Sequence, residues 1–184
     1  MRMKSKRPLR VIIIFIMASA GLAILLRWTP PILLTAWLPL LGQDEWPQDV
    51  EVVQTASVLP GRVTWLFFVN SKLGDGATAQ QYLHYYSETA VAFANWEQNR
   101  NGSRAFVGTS RFDQILIPLP EQANLNQVLL CHEQNNQRTS CEYRAQSGKW
   151  TIHADFTTRD ERILSLGDIA ELAQNLGKKL ARKP

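Results

Sequence analysis

The first 28 residues constrain this chain more strongly than any other segment. Residues 1–10 contain five basic side chains and no acidic one, residues 11–26 contain no charged side chain, and Arg27 and Trp28 follow. A basic flank, an apolar run and an aromatic border are typical of a single helix that crosses a membrane with its basic side in the cytoplasm. The sequence therefore predicts a cytoplasmic segment at residues 1–10 and a transmembrane anchor in the lipid bilayer at residues 11–27.

Two other interpretations of this segment stay open. Residues 18–20 have the small-x-small pattern of a signal-peptidase site, so the chain would be secreted after cleavage at Ala20. The apolar run continues through residues 22–26, which favours an uncleaved signal anchor. A buried helix of a soluble protein fits the clustered cations less well.

Residues 28–49 are predicted to form a membrane-proximal apolar segment and a linker. The apolar part is broken by prolines and is too short to cross a bilayer as a helix. We expect it to lie in the membrane interface, with Trp28 and Trp37 at headgroup depth. The alternative is a docking surface for another membrane protein. Residues 50–184 are then the extracytoplasmic (periplasmic) domain.

The charge of that domain argues against nucleic-acid binding. The chain has 20 basic and 16 acidic residues, but six of the basic ones lie in the first 27 positions. The remaining chain has 14 basic and 16 acidic residues, a formal charge of −2. No nucleic-acid partner is therefore expected.

The domain is predicted to be α+β, with an antiparallel sheet of about five to seven strands and two helices on one face. One helix is predicted over residues 78–97, where apolar residues recur at helical spacing behind a Thr78–Gln81 capping pattern. The second follows a similar Ser165–Asp168 pair and ends in basic residues. The predicted strands are residues 50–59, 62–70 (an interior strand), 104–110, 112–119, 127–133, 139–145 and 149–157.

Turn residues predict the register of the last three strands. A hairpin centred on Asn136 places Cys131 opposite Cys141, and a turn at residues 147–148 places Glu142 opposite His153. Both registers collect apolar side chains on one face. Two opposed thiols in an oxidising compartment predict a structural Cys131–Cys141 disulfide.

The opposite face of this meander collects His132, Glu142, His153 and Asp155. Such a set could bind a divalent metal or pair a base with an orienting acid. The alternative is a solvated sheet face with ordinary cross-strand pairs. The chain lacks any HExxH, CxxC or GxSxG motif. We therefore favour the solvated face and predict no metal, cofactor or catalytic residue.

Three aromatic residues of the predicted helix, Tyr82, Tyr85 and Trp96, extend beyond its apolar stripe. Exposed aromatic side chains are favoured at protein interfaces, so these residues are a candidate interaction surface. The alternative is packing at the rim of the core.

The sequence favours a single-pass inner-membrane protein with a cytoplasmic N-terminus and a periplasmic domain. Its expected role is a non-enzymatic binding or assembly subunit of an envelope complex, whose partner is another envelope or membrane protein. One alternative is a membrane-tethered hydrolase or metal-dependent enzyme that uses the His/Glu/Asp face. Another is a membrane-anchored inhibitor or immunity-type protein.

Overall fold

A computed structural model of the protein describes residues 35–47, 51–60, 64–99, 114–134 and 138–183. These residues form an α+β fold around a seven-stranded antiparallel sheet. The predicted anchor at residues 11–27 and the predicted strand at residues 104–110 lie outside the described residues. Among the helices of the described ranges, none is both long enough and apolar enough to cross a membrane.

The sheet consists of two antiparallel meanders joined edge to edge. Its strands are β1 (Val52–Pro60), β2 (Thr64–Leu73), β3 (Ala77–Tyr86), β4 (Gln114–Ile117), β5 (Asn126–Gln134), β6 (Arg138–Ser147) and β7 (Trp150–Thr158). Their spatial order is β1-β2-β3-β7-β6-β5-β4, so the pairing of β3 with β7 joins the meanders. The predicted antiparallel sheet is confirmed. β2 is an interior strand as predicted, although Phe67 and Phe68 stay partly exposed.

The helix predicted over residues 78–97 is wrong in its first half, which forms β3. Ala79 and Leu83 are four residues apart and therefore share a face in a strand as well as in a helix. Tyr86 distinguishes the two periods, because in β3 its side chain lies on the opposite face from Leu83. β2 and β7 bond both edges of this segment, so no capping box forms at Thr78.

The helices lie on opposite faces of the sheet, not on one face as predicted. Helix α1 (Thr89–Asn99) covers the face that carries His84 and His153, with Trp96 near both. Helix α2 (Leu166–Ala181) covers the apolar face. The predicted cap of α2 is confirmed, because Asp168 N donates to Ser165 Oγ (3.2 Å) and Ser165 N donates to Asp168 Oδ2 (2.8 Å).

The register of the first hairpin is confirmed and that of the second is wrong by two residues. Cys131 lies opposite Cys141 and His132 opposite Ser140, as predicted. In the second hairpin, Ser147 pairs with Trp150, so the two-residue turn is residues 148–149. Gly148 takes a φ of 54°, which glycine adopts at little cost. A shift by two residues keeps every side chain on its predicted face.

The hydrophobic core lies between α2 and the sheet, and the chain before β1 completes it. Leu40 and Leu41 are fully buried, and Trp46 packs edge-on against Phe156 at 6.4 Å. Leu41 N donates to Oε1 of the buried Gln81 at 2.7 Å. The described part of the predicted linker at residues 28–49 therefore contributes to the core of the domain and does not lie apart from it.

Candidate functional site

Five polar side chains of β3, β6 and β7 form the centre of the sheet face that α1 covers. Strand alternation places them there, since partners in adjacent strands share a face. Tyr82 pairs with His153, His153 with Arg144, and Asp155 with Glu142. These five residues are called the polar face below.

Four of them form a compact charged block. Glu142 lies directly opposite Asp155, an arrangement that repels unless cations lie nearby. The two basic side chains of the block, Arg144 and His153, lie in the adjacent row. Arg144 Nη2 lies 3.1 Å from Glu142 Oε2, and His153 Nε2 lies 2.7 Å from Asp155 Oδ1 without hydrogen-bond geometry. Each carboxylate therefore has a basic neighbour on its own strand. The predicted register instead places Glu142 opposite His153 on the adjacent strand.

The polar face is not the solvated surface that the sequence favoured. Glu142 is 3 % exposed, and the Arg144 side chain is 12 % exposed. His153 and Asp155 are half-buried. A buried charge is tolerated only when a partner and hydrogen bonds compensate for lost hydration, which the Arg144 guanidinium does for Glu142.

Tyr82 covers one side of the block. Its ring lies 4.9 Å from the Phe68 ring and stacks on His153 at 5.6 Å. The Tyr82 hydroxyl donates to Gln80 Oε1 at 2.9 Å. Burial raises the pKa of Tyr82, and the negative charge of Asp155 raises it further, so this phenol stays protonated at neutral pH.

A cleft of about 200 Å³ lies between α1 and the polar face. His84, Tyr86 and Trp96 line it beside Arg144 and His153. Burial lowers the pKa of His84, and the positive charge of His153 lowers it further. Burial also raises the pKa of Tyr86 against an opposing hydrogen bond with Thr151. The cleft is thus lined by the neutral imidazole of His84, the neutral phenol of Tyr86 and the guanidinium of Arg144, together with the rings of Trp96 and His153.

His132, the fourth residue of the predicted polar site, lies on the same sheet face but in another row. It pairs with Ser140 and is 2 % exposed. The ligand atoms of Glu142, His153 and Asp155 lie within 4.8 Å of one another, and His132 is not part of this group. The structure thus brings together three of the four predicted residues.

This group fits a divalent cation only in part. One imidazole nitrogen and two carboxylates are an acceptable ligand set for zinc or a similar metal. The Arg144 guanidinium already binds Glu142 and places a positive charge beside the position that a cation would take. The arrangement therefore favours an internally paired cluster over a metal centre.

The three predicted interaction residues do not form one surface. Tyr82 and Trp96 lie near the α1 cleft, and Trp96 is partly buried. Tyr85 lies on the other face, where it packs against Trp150 at 4.6 Å and pairs with Trp65. Trp65 is 41 % exposed, and Tyr85 and Trp150 are partly exposed, so a row of aromatic side chains at this end of β2, β3 and β7 is partly open to solvent.

The predicted disulfide is present. Cys131 and Cys141 are bonded across β5 and β6, and both are buried. The bond lies on the α2 face of the sheet and belongs to the apolar core.

Sequence reasoning missed His84 as a site residue and gave Arg144 no role. The predicted helix over residues 78–97 includes His84 and separates it from the meander. The alternation of small or apolar residues at 77, 79 and 83 also fits a strand with His84 on its other face, and only pairing with β7 brings His84 near His153. The predicted register of the second hairpin, which is wrong by two residues, places Arg144 opposite Thr151, whereas in the structure Arg144 lies opposite His153.

The fold defines a class of helix-covered, seven-stranded antiparallel α+β domains. The sequence matches no family model, and no curated protein is similar to it. Its structure is similar to the crystal structure of the extracellular domain of PknH from Mycobacterium tuberculosis, with a TM-score of 0.51, 9 % identity, and coverage of 79 % of this chain and 94 % of that one. An uncharacterized protein from Mycobacterium smegmatis matches at a TM-score of 0.38 and 10 % identity, over 72 % of this chain and 93 % of that one. The first similarity establishes the fold alone.

Proposed function

We propose that this chain is a single-pass membrane protein whose domain lies outside the cytoplasm and binds another envelope protein without catalysing a reaction. The Cys131–Cys141 disulfide is the main support for the proposed location, because such bonds persist in oxidising compartments. The basic and apolar N-terminal pattern and the fold shared with an extracellular domain support it.

The redox state of the two cysteines in cells tests the location. Intact cells are quenched with acid, and the denatured full-length chain is treated with a polyethylene-glycol maleimide before and after reduction. We expect two adducts only after reduction, and none in a Cys131→Ala/Cys141→Ala control. Two adducts before reduction would contradict the proposed compartment. The mass of the purified chain separates an anchored protein from one cleaved at Ala20.

A binding role is supported by the internal pairing of the polar face. The carboxylates of Glu142 and Asp155 each have a basic neighbour, so neither is poised as an unpaired base. The partly exposed aromatic row formed by Trp65, Tyr85 and Trp150 has the composition of a protein-binding surface. We assign the partner contact to this row.

Isolation of the full-length protein from its own membranes in mild detergent tests this assignment. We expect a stoichiometric partner that is lost in a Trp65→Ala/Tyr85→Ala variant. A matched Val91→Ala/Phe93→Ala variant, which changes exposed apolar residues of α1, should retain it. Recovery of the same partner with both variants would exclude the aromatic row as the contact.

A second candidate function is a membrane-tethered metal-dependent enzyme or hydrolase. The clustering of Glu142, His153 and Asp155 within 4.8 Å favours it. Under this alternative, Glu142→Gln and His153→Gln abolish function in cells while the chain stays folded. Under the binding proposal, they leave capture of the partner unchanged.

A further inference from the structure

The C-terminal end of α2 carries four basic side chains with two different roles. Lys179 Nζ donates to the carbonyl oxygen of Leu40 at 2.7 Å and forms an ion pair with Glu45. Lys183 Nζ donates to the carbonyl oxygen of Trp37 at 2.7 Å. These two cations therefore fasten the end of α2 to the chain that precedes β1.

The other two, Lys178 and Arg182, are not used in this way. Both are exposed, and within the described ranges neither forms an ion pair. They are four residues apart and thus share one face of the helix end. The adjoining groove is lined by three basic residues, Lys179, Arg182 and Lys183, and by two acidic ones, Asp44 and Glu45. Its basic residues are therefore in excess by one, and Lys178 adds a further cation outside the groove.

The contact between Lys183 and Trp37 places the basic end of α2 next to the chain that follows the predicted anchor. Trp37 follows the predicted anchor by ten residues, a distance of at most about 35 Å when fully extended. Residues 28–34 contain no charged side chain, and apolar segments of this kind prefer the membrane interface to water. Trp37 itself is 76 % exposed. Because tryptophan is favoured at headgroup depth, this exposed side chain suits contact with the membrane interface.

We infer that Lys178, Arg182 and Trp37 form a surface that binds the anionic headgroups of the membrane in which the chain is anchored. This inference rests on the anchor of the proposed function. Cations next to a negatively charged leaflet are attracted within a Debye length, and an interfacial tryptophan adds an apolar contact. The domain is thereby held against the bilayer in one orientation.

Hydrogen exchange of the full chain in lipid nanodiscs tests the inference. Discs of phosphatidylcholine alone are compared with discs that also contain phosphatidylglycerol. We expect amides of residues 176–183 to exchange about tenfold more slowly in the anionic discs, with the difference lost at high salt. Lys178→Glu/Arg182→Glu should remove this difference. The control Lys72→Glu/Arg159→Glu, which reverses one exposed charge on β2 and one directly after β7, should keep it.

Vesicle flotation separates the two proposals. A chain that floats with neutral vesicles but exchanges equally in both kinds of disc retains its anchor and overturns the headgroup surface. A chain that floats with neither neutral nor anionic vesicles overturns both. Slower exchange that persists in Lys178→Glu/Arg182→Glu would assign the protection to another part of the domain and also overturn the inference.

Discussion

At the scale of single residues, the buried Glu142–Arg144 pair is expected to affect stability strongly. Both side chains are nearly buried, and Arg144 Nη2 donates to Glu142 Oε2 at 3.1 Å. Glu142→Ala leaves the guanidinium buried without its counter-charge, so we expect the free energy of unfolding to fall by about 3 kcal/mol. Chemical denaturation of the purified chain measures it.

A double replacement and an exposed pair are the controls for this prediction. Glu142→Leu/Arg144→Leu removes both charges and should recover most of the loss. Asp75→Ala removes only the exposed Lys72–Asp75 pair and should change stability little. Equal effects of Glu142→Ala and Asp75→Ala would show that the buried pair carries no special weight.

His84 makes stability depend on pH in a defined direction. Burial first, and then the charge of His153, lower the pKa of His84 below its ordinary value of 6.5. The unfolded chain therefore binds this proton more readily than the folded chain. The contribution of His84 is fully present above pH 6.5 and is lost as pH falls from 6.5 towards the lowered pKa.

Urea denaturation between pH 5 and pH 8 tests this dependence. As the pH falls, we expect the free energy of unfolding of the unmodified chain to decrease more steeply than that of a His84→Gln variant. Parallel pH profiles of the two chains would contradict the lowered pKa. Tyr82→Phe, which keeps the stacking on His153, serves as a control that should not flatten the profile.

At the scale of elements, two glycines of α2 should respond oppositely to alanine. Gly167 is exposed, and a Cβ there would have only Ser165 Oγ at 3.6 Å, so Gly167→Ala should stabilise by up to about 1 kcal/mol. At Gly177 a Cβ would lie 2.8 Å from Gln127 Oε1 and 2.9 Å from Tyr143 Oη. These two atoms share a hydrogen bond. Gly177→Ala should therefore destabilise by about 1–3 kcal/mol, as thermal unfolding would show.

The sequence predicts elements best where one signal decides between alternatives. The first hairpin of the meander is an example, because a single turn and two cysteines define its register. β3 is the opposite case, since apolar residues four apart suit both a strand and a helix. Only pairing with β2 and β7, which are distant in sequence, decides for the strand. The contacts of the polar face depend on this pairing and on the register of the second hairpin, so they could not be predicted from the sequence. Most of the residues that belong to the polar face could be predicted.

At the scale of the whole molecule, the chain before β1 is part of the domain. Apolar composition alone could not show this, because a membrane interface and a protein core both favour leucine and tryptophan. The structure shows which residues of this segment belong to the protein core: Leu40, Leu41 and Trp46 are buried, whereas Trp37 is exposed. Gln81 binds the backbone of Leu41 through both of its side-chain polar atoms, which fixes this segment on the sheet.

Truncation tests whether the domain needs this segment. A chain that begins at residue 35 should unfold cooperatively, whereas one that begins at residue 48 loses three buried side chains worth roughly 5–9 kcal/mol together. That loss is comparable to the whole stability of an ordinary domain, about 5–15 kcal/mol, and it also leaves the buried Gln81 without its backbone partner. We therefore expect the shorter chain to lack a cooperative urea transition and to lose near-ultraviolet circular dichroism. Trp37→Ala in the longer chain should have little effect, since this side chain is exposed. A native-like transition in the shorter chain would mean that the sheet and α2 form a sufficient core by themselves, and that the segment before β1 packs on the domain without being required for it.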